Sequence, residues 1–380
     1  MGKSVLTCLV HVATVIILIG SFSCVSLADD TIRIASIFSF SGDAAKANED
    51  SVLGVRLGVQ EVNELGGLLG MKLELIEIDN MSTPIGSKVA ADKAVKENVV
   101  AVIGPAWSSH SIAVAPIAQA NRIPMITNIS TNEKVTRIGD CIFRVCYTDS
   151  FQGRVMASFA REDLKVHTAV IFVDITSDYS MGLAKEFQYD FEKMGGRVLE
   201  ILQYKYKQDD FMPMVLQAKK SNPDILFIPG HDESGIIVKH AVNSGLEAIP
   251  LGGDGWAVEA FYRKGGDRMK KGYYSTHWDE EVQSDVSKRF VSKYKGSRKL
   301  NPAEALGYDA VMLLADAIVR SGSINRERIR SALAGTTNYQ GVTGTITFDS
   351  AGNPIKGAVI MTIGYGEARF LKSIPADEQH

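Results

Sequence analysis

The chain has no surplus of positive charge: 41 Lys and Arg stand against 44 Asp and Glu, a net charge of −3 over 380 residues. Binding to nucleic acid or to an anionic membrane surface rests on a basic excess that displaces counterions, so neither partner class is expected. Local clusters such as Lys270-Lys271 and Arg326 to Arg330 read as solvated helix faces. Catalytic signatures are also missing. There is no GxSxG elbow, no GxxxxGK[ST] phosphate loop and no GxGxxG after the first strand. Cysteine is scarce, with four in the chain, and the seven histidines are scattered. No ligand set at zinc spacing results, and neither a metal nor a cofactor is expected. After the N-terminus no apolar run approaches the ~20 residues of a spanning helix. Low-complexity linkers and short repeats are absent as well.

What is present suits two ordinary globular domains, since one domain typically takes roughly 150 residues, and the hydrophobic and charged fractions of 45% and 22% fit that class. The N-terminus reads as an export signal. Lys3 precedes an apolar segment from Val5 to Ile19, and Ser26-Leu27-Ala28 is a small-x-small cleavage pattern before Asp29-Asp30. Residues 1–28 are therefore expected to be a signal peptide, with the mature protein in the periplasm. Cys24 after Ser23 offers a second processing route, a lipid anchor, although Ser21 stands where a lipoprotein signal usually has leucine. Cleavage at Ala28 leaves Cys141 and Cys146. An oxidising compartment permits them to pair, but residues five apart on a strand point to opposite faces, so a bridge needs a bulge or turn. The alternative is two buried thiols.

Along the chain, strand-length apolar runs alternate with helical patterns. Ile32 to Phe38, Leu73 to Ile78, Val99 to Ile103 and Ile123 to Thr127 are predicted strands of a first α/β unit. Val170 to Val173, Arg197 to Ile201, Ile225 to Ile228 and Ile249 to Gly252 repeat the rhythm in a second. Two βαβ sheets side by side follow, joined by crossing segments at Cys146 to Ser150, Tyr274 to Trp278 and Gly341 to Thr345.

The strand exits carry the candidate chemistry. Ser108 or Ser109 is placed to cap the helix after Val99 to Ile103, and Asn128 to Thr131 form the polar exit of the next strand. Unpaired N–H groups and the dipole at a helix start hold an anion without a full positive charge, and ligands of open parallel sheets sit outside the carboxyl ends of the strands. The competing reading is plain capping and turn formation, common for Ser and Thr. In the second unit Tyr179 stands at a helix entry. Asp254 lies between two glycines, where it is either a ligand carboxylate or an Asx-turn. A carboxylate facing hydroxyls and helix-end N–H groups fits a zwitterion. His231, Asp232 and Glu233 lack a nucleophile to serve and read as solvated residues at the cleft rim.

Several stretches in order resemble the type I periplasmic binding proteins, in the Leu/Ile/Val-binding branch that serves ABC transporters. They are Ile103-Gly104-Pro105 with Ser108, APIAQ from Ala115, IPMIT from Ile123, FRVC from Phe143, DSFQG from Asp149, DYSMGLAK from Asp178, GGDGW from Gly252 and LGYDAVMLLADAI from Leu306. The resemblance spans nearly all of the mature chain. It implies an α/β fold of two Rossmann-like lobes with mostly parallel sheets and three crossovers: residues 29–147 with 277–343, then 148–276 with 344–371, and a tail of 372–380. It implies that Ser108 and Thr131 hold a ligand α-carboxylate, that backbone near Ile129 assists, that Tyr179 closes over the ligand and that Asp254 meets the α-ammonium. Trp107 is placed to wall the side-chain pocket or to pack on a neighbouring loop. Where branched-chain receptors often carry aromatics, this chain has Ala47, Ala303 and Gly230. That implies room for a larger apolar side chain unless Trp107 and Ile129 refill it. The expected function is capture of an apolar amino acid by a monomeric binding protein, with no catalysis, for delivery to an ABC permease in the membrane. The alternatives are the same fold with a non-amino-acid ligand (an aromatic carboxylate, an amide or urea), a sensor ectodomain, or an exported hydrolase.

Overall fold

Ile32–Phe38 (β1) is buried along almost its whole length, as a strand flanked on both edges and covered on both faces must be. It pairs in parallel with Leu73–Asp79 (β2) and Ala101–Ile103 (β3), and Met125–Thr127 (β4) and Ile142–Arg144 (β5) complete the order β2-β1-β3-β4-β5. The connections are Ala45–Glu64 (α1), Pro84–Lys96 (α2) and Ser108–Ala120 (α3). This computed structural model describes residues 31–376. The expected signal peptide, Cys24 and the last four residues lie outside the described residues. Among those described, no helix is long and apolar enough to cross a membrane.

The second sheet begins after Asp149–Ser158 (α4) with Thr168–Asp174 (β6), and continues through Asp178–Lys193 (α5), Arg197–Tyr204 (β7), Met212–Ser221 (α6), Ile225–Ile228 (β8), Ser234–Ser244 (α7), Ile249–Gly252 (β9), Glu259–Lys264 (α8) and Gly272–Thr276 (β10). The chain then returns to the first sheet as Asp285–Tyr294 (α9), Pro302–Ser321 (α10), Arg326–Ala334 (α11) and a small hairpin, Tyr339–Gly341 (β11) with Gly344–Ile346 (β12). Ala358–Gly364 (β13) and Glu367–Ile374 (β14) finish the second sheet, whose order is β14-β13-β10-β9-β8-β6-β7. Only β13 runs against the others, pairing antiparallel with β10 on one side and with β14 on the other. The architecture is thus the two-lobed, mostly parallel α/β arrangement that the strand rhythm predicts.

Two boundaries differ from those expectations. Ile346 and Phe348 pack in the first lobe's core with Phe143 and Leu306, so the chain crosses for the third time after Phe348 and not at Gly341 to Thr345. The turn at Gly341 to Gly344 closes a hairpin instead. Nor is Lys372 to Ile374 a tail. It is the end of β14, whose residues alternate between exposed and half-buried as an edge strand's do, and Ile374 pairs with Ala358.

The lobes close tightly within themselves. Val52, Val55, Val59 and Val62 form one face of α1, set against α10. A Cβ on Gly54 would lie 1.9 Å from the Glu304 carbonyl oxygen, so the two helix backbones touch there and only glycine fits. Cys141 and Cys146 are both free and buried, in cores on opposite faces of the first sheet, as their odd spacing on an extended segment requires. Burial pushes their thiols up to about 11 and about 12 respectively.

The crossing segments are tied to one another. Lys356, 4% exposed, donates to the Val145 carbonyl at 2.8 Å and to the Thr343 hydroxyl. Asp309 of α10 accepts the N–H groups of Val342 and Thr343 at 2.7 and 2.9 Å. Burial pulls the Lys356 ammonium down to about 8, the cost of a cation served mainly by neutral oxygens.

Candidate ligand-binding cleft

A cavity lies between the lobes. Its walls include Ala47, Ala106, Trp107, Ser108, Ile129 and Ala303 from the first lobe and Tyr179, His231, Asp254, Gly255, Ala257 and Val258 from the second. Its lining is mostly apolar, with Ser108, Tyr179 and Asp254 among the polar members.

On the first lobe, α3 begins at Ser108 with Trp107 as its cap residue and no side-chain cap. Ser108 is therefore not the cap. Its oxygen accepts the Asn132 N–H at 3.2 Å, which leaves the hydroxyl proton available, and the first N–H groups of the helix have no partner within it. The neighbouring exit loop is held from below. Thr127 donates to the Pro105 carbonyl at 2.6 Å, and Ser130 donates to the Ala106 carbonyl at 2.8 Å. Arg144 of β5, fully buried, donates to the carbonyls of Ser130 and Asn132 at 2.7 and 2.8 Å and so pins the backbone on either side of Thr131. Thr131 itself is buried and does not line the cavity. Its hydroxyl lies beside the Asp149 side chain, and the Asp149 N–H donates to the Thr131 carbonyl at 2.9 Å.

On the second lobe, Ser177 caps α5 and sets Tyr179 in its first turn. The Tyr179 oxygen accepts the Gly255 N–H at 3.2 Å. Asp254, 6% exposed, follows β9 in a short helical turn. Gln152 donates to one of its oxygens at 2.9 Å, and the His277 ring nitrogen Nε2 lies 3.2 Å from the other. Burial pushes this carboxyl upward, but the His277 contact and the Gln152 bond outweigh burial and hold it below the ordinary carboxylate value. The Asp254 carboxyl is thereby held toward its ionised form. Burial lowers the His277 pKa despite the neighbouring carboxylate.

The walls differ from the expected open ones. His231 is sandwiched between Trp107, 4.4 Å between centroids and 6° from parallel, and Tyr179, at 5.0 Å and 23°. Trp107 and His231 come from opposite lobes, so this stack forms only when the lobes are together. Trp107 therefore both lines the cavity and packs on a neighbouring loop. Gly230 is not a wall residue: a Cβ there would lie 2.6 Å from Glu233 Oε1, Ser234 Oγ and Tyr204 Oη, inside the second lobe. Position 231 faces the cleft instead, and its ring fills space that alanine and glycine were expected to leave open. Glu233 is not a solvated rim residue either. It is buried and accepts from the Tyr204 hydroxyl at 2.8 Å and the His231 N–H at 3.0 Å, while Asp232 pairs with Lys264 at 2.7 Å. Gln152 and His277, which hold Asp254, were not singled out from sequence.

Outside the cavity the lobes are latched. Asp178, at the start of α5, receives the Ser109 hydroxyl and the Lys134 ammonium, each at 3.0 Å, and the Asn132 side chain donates to its carbonyl at 2.7 Å. Lys207 pairs with Asp43 at 2.6 Å. Among the described residues no group of three His, Cys, Asp or Glu side chains is placed to hold a metal.

The family model described as "Periplasmic binding protein" matches residues 31–367. A leucine-, isoleucine-, valine-, threonine- and alanine-binding protein of Pseudomonas aeruginosa is 27% identical over 340 residues, covering 88% of this chain and 90% of that protein. Among solved structures, the leucine binding protein LivK of Thermotoga maritima is 34% identical with a TM-score of 0.88, covering 92% of this chain and 100% of that one. The branched-chain amino acid transporter substrate-binding protein LivJ of Streptococcus pneumoniae, solved with isoleucine, is 29% identical with a TM-score of 0.84, covering 90% and 99%. The fold, the inter-lobe cavity and a match across almost the whole described chain lead to one conclusion: this protein belongs to the periplasmic binding protein family.

Proposed function

We propose that this protein is the extracytoplasmic substrate-binding component of an ABC importer, and that it captures an apolar amino acid between its lobes without chemical conversion. The observation that carries the reading is the pairing, across one small cavity, of an ionised buried carboxylate at Asp254 with the open helix start and hydroxyl at Ser108. An α-ammonium satisfies the first and an α-carboxylate the second. The apolar lining, formed by Ala47, Ala106, Ile129, Ala257, Val258 and Ala303, takes the side chain. The relatives named above support that class: one is a leucine-, isoleucine-, valine-, threonine- and alanine-binding protein, one a leucine binding protein, and the third was solved with isoleucine. Thr131, buried behind the wall, contributes through its backbone position.

Binding is coupled to closure because the carboxylate and ammonium groups lie on different lobes. A ligand bridging them shifts the equilibrium toward the closed form by its differential affinity for the two states. The closed surface is what a membrane permease recognises, and a monomer suffices for the task. A thermal-shift screen of residues 29–380 against the twenty amino acids and their deaminated carboxylic acids tests the reading. Stabilisation by leucine, isoleucine or valine and not by the deaminated acids is expected. Stabilisation by carboxylic acids alone would overturn the amino-acid assignment and leave the fold intact.

A further inference from the structure

His277 belongs to none of the stretches that carry the family resemblance, yet it is completely buried at the second crossing, directly after β10. Its ring lies 3.8 Å from that of Tyr147, a residue of the first crossing, and its Nε2 is 3.2 Å from Asp254 Oδ2. Its other nitrogen, Nδ1, has no hydrogen-bond partner. Gln152 completes the cluster by bonding Asp254, the Ser275 hydroxyl and the Tyr147 hydroxyl at 2.9, 2.9 and 3.2 Å.

The arrangement has a definite charge count. An ionised carboxylate only accepts, so the hydrogen between His277 and Asp254 sits on Nε2, and the lone pair on Nδ1 accounts for the nitrogen left without a donor. With the imidazole neutral, the pair carries one negative charge, which matches one ammonium. A protonated imidazole would cancel that charge, and a side chain without a donor would leave the carboxylate less well held. Gln152 and His277 each occupy a site on one Asp254 oxygen, the Tyr179 hydroxyl is a further donor, and of about four lone-pair sites on the carboxylate this still leaves room for the ligand.

We infer that His277 is a positioning residue for ammonium recognition, holding Asp254 ionised and aimed at the ligand from the segment that joins the lobes. This rests on the amino-acid reading above. The test titrates wild type, His277→Leu and His277→Gln calorimetrically with the tightest binder among leucine, isoleucine and valine and with its deaminated counterpart. Gln places an N–H donor near the position of Nε2, whereas Leu fills the space without one. His277→Leu is expected to lose at least about tenfold in affinity for the amino acid, the effect of one hydrogen bond to a charged group, and to change little for the deaminated acid. His277→Gln should recover most of the loss.

Equal losses for both ligands in both variants would show a merely structural role and overturn the inference, as would unchanged discrimination in His277→Leu. If wild type itself does not prefer the amino acid, the zwitterion reading fails first. Should His277→Leu not fold, the imidazole ¹⁵N signals of the wild-type complex decide: a neutral ring with its proton on Nε2 supports the inference, and an imidazolium or the opposite tautomer refutes it.

Discussion

Replacing Asp254 by asparagine removes one charge from the cleft and almost nothing else. Gln152 still finds an amide oxygen to donate to. His277 has to accept instead of donate, and it can do so by moving its proton to Nδ1, which no partner occupies. The fold should therefore survive, with a melting temperature close to that of wild type. Ligand binding should not. At an effective dielectric of about 20, opposite charges about 4 Å apart gain roughly 4 kcal/mol, and leaving one member of a buried pair uncompensated costs about 3–5 kcal/mol. The dissociation constant for the amino acid should rise by between about two and three and a half orders of magnitude. Its deaminated analogue, which brings no cation and meets one negative charge fewer, should bind as well as before or better. Calorimetric titration of both ligands against both proteins reads this directly. Parallel weakening of the two ligands, or an amino-acid loss below about fivefold, would refute the placement of the ammonium at Asp254.

Two further predictions concern the scaffold. Arg144→Met fills the same space but strips the Ser130 and Asn132 carbonyls of their buried donor; at about 1–3 kcal/mol for each group left unsatisfied, roughly 2–6 kcal/mol of stability should be lost, read as a fall in the urea midpoint, whereas a shift equivalent to less than about 1 kcal/mol would mean that the exit loop does not depend on this side chain. His110 is buried against Asn80, and burial, with a smaller contribution from His231, lowers its pKa from the ordinary 6.5 to about 4. The unfolded chain therefore takes up this proton first as pH falls. The contribution is fully present above pH 6.5 and is lost progressively down to about 4, up to about 3 kcal/mol. His110→Asn should flatten the stability profile in that window, and an unchanged slope would contradict the assignment.

Much of this molecule is legible in its sequence because the periodic features are strong. Ile225 to Ile228 is a continuous apolar run and Ile32 to Phe38 a largely apolar one, both with the observed bounds, and Ser108, Tyr179 and Asp254 all follow strands whose carboxyl ends meet at the cleft. The misreadings have local physical causes. At the exit of β8 a shift of one residue exchanges the inside of the lobe for the cleft, so Gly230 is enclosed while His231 forms the wall. Gly341 to Gly344 reads equally as a crossing or as a hairpin turn, and only the packing of Ile346 and Phe348 decides between them. Thr131 carries the right hydroxyl but sits behind the surface, because Arg144 fixes the backbone on both sides of it. Gln152 and His277 are separated from Asp254 by 102 and 23 positions and meet it only because two crossings converge there. No local pattern carries that information.

The central claim is that a ligand bridging Ser108 and Asp254 draws the two lobes together. Small-angle X-ray scattering of residues 29–380, measured without ligand and with a saturating mixture of leucine, isoleucine and valine, tests it most directly. A smaller radius of gyration in the mixture, with a scattering profile matching the latched arrangement in which Asp178 meets Ser109 and Lys134, is predicted. Saturated binding with an unchanged profile would contradict closure as the mechanism.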